Sequence, residues 1–260
     1  MTTDIKFILA GMLVGTLVGF SGMGGGSVMT PLLIFMGLPA AKAIGSDLVY
    51  SAVTKTVGSY RHARALRVDW GIVKWMAIGS VPAAVLGVFT VSAIKDAMGS
   101  NANDVLQQIL GVMLIAVGVT MVWRIAVAGR RLTSRTVTGT YEWTTRRKVA
   151  TMTIGALGGF GVGLTSVGSG TLFALFLLTS FPLVASRVVG TDIVHAMLLV
   201  WAAALAHVAA GNVVFNNVFF LLIGSLPCVW ISSQWTGKLP ERPMRLALAG
   251  VLVCSGVLMV

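Results

Sequence analysis

The chain has 260 residues, of which 56% are hydrophobic and only 10% charged, whereas a soluble domain carries about a quarter charged residues; that excludes an ordinary soluble fold. The net charge of +11 does not indicate nucleic acid, because the cations gather in short groups flanking apolar runs and no basic stripe is interleaved with aromatics. The composition is that of an all-α integral membrane protein.

The first predicted helix covers 5–20. It resembles a secretory leader in length, but its single n-region cation, Lys6, is offset by Asp4. Ser21 to Gly26 also offers no small-residue cleavage pattern, so it reads as a retained membrane segment. Gly11, Gly15 and Gly19 repeat at the spacing that lets helices cross closely. A glycine run, Gly22-Met23-Gly24-Gly25-Gly26, then interrupts the apolar stretch. A short helix over 27–37 follows, then helices over 43–61, 71–92 and 104–124. After a linker rich in Arg, Thr and Ser come helices over 148–164, 170–181, 186–209, 216–236 and 243–260. A second break falls at Gly168-Ser169-Gly170. The segments at 27–37 and 170–181 are shorter than the ~20 residues that cross a bilayer upright. Each forms either a tilted crossing or half of a re-entrant hairpin with the segment before it, giving eight to ten membrane segments. Cys228 and Cys254 lie in apolar spans and read as small core side chains.

Sliding the chain on itself by about 145 positions shows a repeat. Lys42-Ala43-Ile44-Gly45-Ser46-Asp47 falls on Arg187-Val188-Val189-Gly190-Thr191-Asp192, His62 on His207, and Gly79-Ser80-Val81-Pro82 on Gly224-Ser225-Leu226-Pro227. The expected organisation is a first repeat over 1–125, a basic linker over 126–147 and a second repeat over 148–260. The loop at 61–70 is basic, whereas its counterpart at 211–217 has no charge. The loop at 93–104 is near neutral, whereas its counterpart around Lys238 to Arg245 is basic. The charge bias changes sides between halves, so the repeats are expected to be inverted, with basic loops cytoplasmic. Inverted repeats with broken helices are the architecture of many secondary transporters, whose sites lie near the midplane.

The two breaks carry the chemistry. Unwound backbone at membrane depth persists only where protein buries it or it lines a cavity. Ser27 and Thr171 follow the breaks at the expected N-caps of the short helices, where free N–H groups and the helix dipole favour an anion. Gly24, Gly25, Gly26, Gly168, Ser169 and Gly170, with Ser21, Thr165 and Ser166 before the breaks, complete the candidate binding set; the other reading of the glycines is close helix packing. Lys55 is either the counter-charge of an anion or a side chain snorkelling toward Arg61. Asp47 and Asp192 are expected in the first turn of matched helices, complementing their dipoles, with proton coupling as the functional reading. His195, three residues beyond Asp192 on the same face, would join such a relay. His62 and His207 read as structural groups at membrane interfaces. The linker reads as a solvated connector whose cations meet anionic lipid.

With Gly19-Phe20-Ser21-Gly22-Met23-Gly24-Gly25-Gly26-Ser27, Pro31 and the Gly45-Ser46-Asp47 element, and their recurrence at 161–171 and 190–192, the chain resembles the sulfite exporter TauE/SafE family over its whole length. The second copy carries Val167 and Ser169 where the first has Met23 and Gly25, so the half-sites need not bind the same group. The resemblance implies movement of a small sulfur-containing anion, sulfite or an organosulfonate, across the bacterial inner membrane without ATP, with export often inferred. The partners expected are that anion and membrane lipid, with a homo-oligomer left open, and no cofactor, metal or nucleic acid. An anion channel of the same architecture is the second reading. A membrane-embedded enzyme is the third, and the absence of a metal-spaced cluster or paired nucleophile and base weighs against it.

Overall fold

The computed structural model describes residues 2–21, 26–64, 67–131, 141–233 and 241–260. Among them the chain forms ten α-helices and no strand: α1 Thr2–Ser21, α2 Gly26–Phe35, α3 Ala40–Arg64, α4 Trp70–Met98, α5 Ala102–Arg131, α6 Thr145–Thr165, α7 Leu172–Ser180, α8 Ala185–Ala209, α9 Phe215–Ser233 and α10 Glu241–Val257. Among the described residues, three stretches are long and apolar enough to cross a membrane: Trp70–Trp123, Ser186–Ala209 and Phe215–Ser232. Large apolar side chains also cover the outside, as Leu86, Phe89 and Leu157 do. Helices that are apolar on every face belong in a membrane or a large core.

The helix ends have identifiable causes. Asp69 accepts the Ile72 amide at 3.2 Å and starts α4, and Thr144 accepts the Arg147 amide at the start of α6. The first amide of α3, on Ala40, donates to Asn103 Oδ1 at 2.7 Å, so α5 caps a helix 63 positions away. That cap lets α3 begin earlier than the expected residue 43. Asp47 is consequently two turns inside α3, and Asp192 is equally deep in α8. The expected dipole-capping role of both carboxylates is therefore corrected: neither helix has an acidic residue in its first turn.

The helices pair tightly, α1 on α9, α4 on α6, α5 on α10 and α3 on α8. Small residues set the spacing. A Cβ on Gly79 of α4 would collide with the Met152 carbonyl of α6, and one on Gly224 of α9 with the Ile8 carbonyl of α1. Gly11 and Gly15 meet α9 in the same way, which is the close crossing their spacing predicts.

Two expectations change. Cys228 is half-buried and Cys254 exposed, so Cys254 is not a core side chain. The described end of the linker is not simply solvated, because Tyr141 packs edge-on against Phe181 at 5.1 Å and Trp143 lies 6.3 Å from Trp75. Burial, and then a hydrogen bond with Asp69, raises the ionisation of the Tyr141 hydroxyl above the ordinary phenol range.

Candidate functional site

The centre of the fold is the break between α6 and α7. Ser166 adopts a left-handed conformation at φ +63°, and Gly168 follows at φ +98°. A side chain in that region costs roughly 1–2 kcal/mol. The turn is held by its own hydroxyls: Thr165 donates to the Gly161 carbonyl at 2.7 Å and accepts the Val167 amide at 3.3 Å. The Thr171 and Leu172 amides both reach the Gly168 carbonyl at 3.3 Å, and the chain then enters α7.

Against this turn lies one face of α3. Asp47, Ser51 and Lys55 recur every four residues, so they share a stripe. The Asp47 carboxylate accepts three hydroxyl hydrogen bonds: Ser166 from the break at 2.8 Å, Thr30 from α2, and Ser51 at 3.2 Å. Lys55 donates to Ser169 Oγ at 2.6 Å. Asp47 is fully buried and Lys55 and Ser169 are 6% and 5% exposed, so the side chain turns inward and the snorkelling reading of Lys55 is set aside. The charges of Asp192 and Asp47 both act on its ammonium, and Asp192 is itself buried on α8.

Thr171 stands at the expected N-cap position of α7, but its side chain makes no cap hydrogen bond. Its hydroxyl oxygen is buried without a partner, beside a helix N-terminus whose amides suit an anion. Its backbone is already helical, with ψ −47° instead of the extended conformation a capping side chain requires.

His195 is buried, with Nε2 2.8 Å from Ser80 Oγ of α4 and its ring edge-on to Phe173 of α7 at 4.6 Å. It therefore ties α8 to both helices. His207 is buried as well, with Nε2 3.0 Å from the Gly163 carbonyl and Nδ1 3.3 Å from Asn212 Nδ2, and Asn212 accepts from Lys95 at 2.7 Å. Its structural role stands, at a buried position.

The structure thus brings Asp47, Lys55, Ser166 and Ser169 together and lines Thr165, Gly168, Gly170 and Thr171 along the same turn. In the first half, Ser27 lies half-buried in the first turn of α2. Ser21 and Gly26 end α1 and begin α2, while Gly24 and Gly25 lie outside the described residues. Thr30, Ser51 and Ser80 are not among the site residues expected from the sequence. Ser51 carries a signal in its position four residues from Asp47, and Ser80 in the repeat that matches it to Ser225. Among the described residues no group of His, Cys, Asp or Glu is placed to hold a metal ion.

The buried Lys55 and Asp47 side chains and the hydroxyls around the broken helix form a polar cluster inside a bundle whose outer surface is largely apolar. The family model described as sulfite exporter TauE/SafE matches residues 7–259. The chain belongs to this family. It is 36% identical to the probable membrane transporter protein YjnA of Bacillus subtilis over 98% of each chain. It is 23% identical to the probable membrane transporter protein YdhB of the same organism over 97% of this chain and 98% of that one. A probable membrane transporter protein of Xylella fastidiosa is 30% identical over 46% of this chain and 44% of its own. No solved structure is significantly similar. As a TauE/SafE membrane transporter, the protein needs a polar interior that moves its cargo through an apolar bundle, and the cluster around Asp47 and Lys55 is the candidate.

Proposed function

We propose that the protein is a secondary transporter that carries a small sulfur-containing anion, sulfite or an organosulfonate, out across the bacterial inner membrane without ATP. The observation that carries this reading is the buried Lys55 ammonium on Ser169, beside the unpartnered Thr171 hydroxyl at the start of α7. A sulfonate or sulfite oxygen accepts from all three kinds of donor: ammonium, hydroxyl and helix-terminal N–H.

Charge arithmetic supports proton coupling. Asp47 and Asp192 against Lys55 leave one net negative charge when all three are ionised, and an anion adds a second. Uncompensated charge in a low-dielectric interior is strongly disfavoured, so a proton on one carboxyl accompanies the anion. His195, tied to Ser80 and Phe173, links that step to α4 and α7.

Inverted repeats are the architecture that fits alternating access, and reciprocal contacts support them. Thr191 Oγ1 accepts the Asp69 amide at 2.9 Å, and Ser46 Oγ accepts the Val214 amide at 3.0 Å; 46 and 191, like 69 and 214, differ by the repeat length. The steric pairs Gly79 with Met152 and Gly224 with Ile8, Gly45 with Asn212 and Gly190 with Arg67, obey the same relation to within one residue. The basic loops then face the cytoplasm.

The test is thermal unfolding of the detergent-purified protein against sulfite, thiosulfate, short sulfonates, matched carboxylates and phosphate, followed by flux in liposomes. A selective shift with a sulfur oxyanion, and saturable flux that moves protons, is the expected result. A shift with carboxylate or phosphate alone would overturn the substrate class, and fast non-saturating flux would replace the transporter with a channel.

A further inference from the structure

We propose that the groove between residues 141–144, the start of α6 and the end of α7 binds the headgroup of an anionic phospholipid. Thr144, Arg146, Arg147 and Ser180 line it together with the aromatic Tyr141, Phe176 and Phe181. Charge complementarity selects an anion. Arg146, Arg147 and Lys148 are consecutive, and the first two line the groove. The acids nearby are Glu142, which lines the groove, and Asp69, whose carboxylate accepts the Ile72 amide and acts on Tyr141, and the cations outnumber them.

Lipid is favoured over a free anion by what surrounds the cations. Tyr141, Trp143, Phe176 and Phe181 pack as one aromatic group with ring centroids 5.1–5.9 Å apart. Lys148 Nζ lies 5.1 Å over the Trp75 ring. Trp70 opens the apolar span that continues through α4, which places these Trp and Tyr rings at the level where such residues mark the water–lipid boundary. The exposed Val149 of α6, two residues after Arg147, offers apolar surface to acyl chains. Basic pockets between helices at that level are the known chemistry of anionic headgroup recognition. A soluble anion would use the cations and leave the aromatic group and Val149 idle.

The experiment measures Tm in detergent with added phosphatidylglycerol, phosphatidylcholine or inorganic phosphate, and lipid retention by native mass spectrometry. The variants are Arg146→Gln with Arg147→Gln, Ser180→Glu, and Arg64→Gln as a control on the exposed Arg64, which stacks on Tyr60 at the end of α3. Phosphatidylglycerol is expected to raise Tm and remain bound in the wild type and the control, with both effects falling by at least half in the double variant. Ser180→Glu, a charge inserted at an exposed position of the groove, is expected to give the same loss. An equal phosphatidylglycerol effect in all variants, no effect in the wild type, or an equal effect from phosphate or phosphatidylcholine would each overturn the proposal.

Discussion

Lys55 and Ser169, 114 positions apart, meet at 2.6 Å in the buried interior. The contact joins the polar stripe of α3 to the turn that breaks α6 from α7, and it leaves the ammonium with two further protons to donate. On the proposed function, an arriving oxyanion would accept hydrogen bonds from those N–H groups. The strained Ser166 conformation belongs to the same turn, and its hydroxyl is held by Asp47. The carboxylate therefore orders the backbone that presents Ser169 to Lys55.

Lys55→Met is expected to remove the anion-induced rise in Tm, while Ser169→Ala weakens it. A hydrogen bond to a charged group contributes about 1.5–3 kcal/mol, which corresponds to a loss of roughly 10- to 150-fold in anion affinity for Lys55→Met. Titration of the purified variants with the best anion of the panel measures this. An unchanged affinity in Lys55→Met would remove the ammonium from the binding site.

Asp47→Asn is expected to fold but to lose substrate-driven proton flux in liposomes. The side chain keeps its shape, yet it cannot take up and release a proton, and its NH2 group opposes a hydroxyl that now donates to it. Asp47→Ala removes the acceptor of all three hydroxyls and is expected to lower Tm further than Asn does, because buried polar groups left unpaired cost about 1–3 kcal/mol each. Proton flux equal to wild type in Asp47→Asn would move coupling to Asp192, where Asp192→Asn is the matching test.

Much of this was legible in the sequence, for physical reasons. The break at Gly168 could be placed because glycines and hydroxyls clustered within an apolar run weaken the helix there. Lys55 stands out because an ammonium within an apolar run is costly to place. What could not be read were polar partners on other helices. Thr30 looks like any threonine in a short apolar helix until Asp47 is set beside it. Asn103 gives no local sign that it caps α3, and without that cap the start of α3 falls too late and Asp47 is misread as a dipole partner. Tyr141 and Trp143 were hidden in a charged linker whose composition suggested water on all sides.

Gly79→Ala is expected to destabilise the protein, because the new methyl group collides with the Met152 carbonyl of α6. Overpacking of this kind costs typically 1–3 kcal/mol, and backbone atoms cannot rotate away as a side chain would. Gly250→Ala in α10 is the opposite case: nothing lies within 4 Å of its Cβ position, so helix propensity alone acts and stability rises by about 0.5–1 kcal/mol. Thermal unfolding in one detergent compares the two, and a Gly79→Ala variant as stable as the wild type would contradict the glycine-set spacing of α4 and α6.

Ser46→Ala and Thr191→Val test the reciprocal loop anchors. Each side chain is buried and accepts one backbone amide from the loop that leaves the partner helix, Val214 for Ser46 and Asp69 for Thr191. Losing either acceptor strands a loop amide, so each variant is expected to lose about 1 kcal/mol of stability. Each anchor lies near the start of its own helix and touches the loop that follows the other's end, so α3 and α8 run antiparallel. At 1.5 Å per residue the two anchors are roughly 25 Å apart. Sites that distant usually add to within about 0.5 kcal/mol, so the double variant should lose the sum. A double variant no less stable than either single one would mean that the two loops open as a unit, and a Thr191→Val effect far from that of Ser46→Ala would break the equivalence of the two halves.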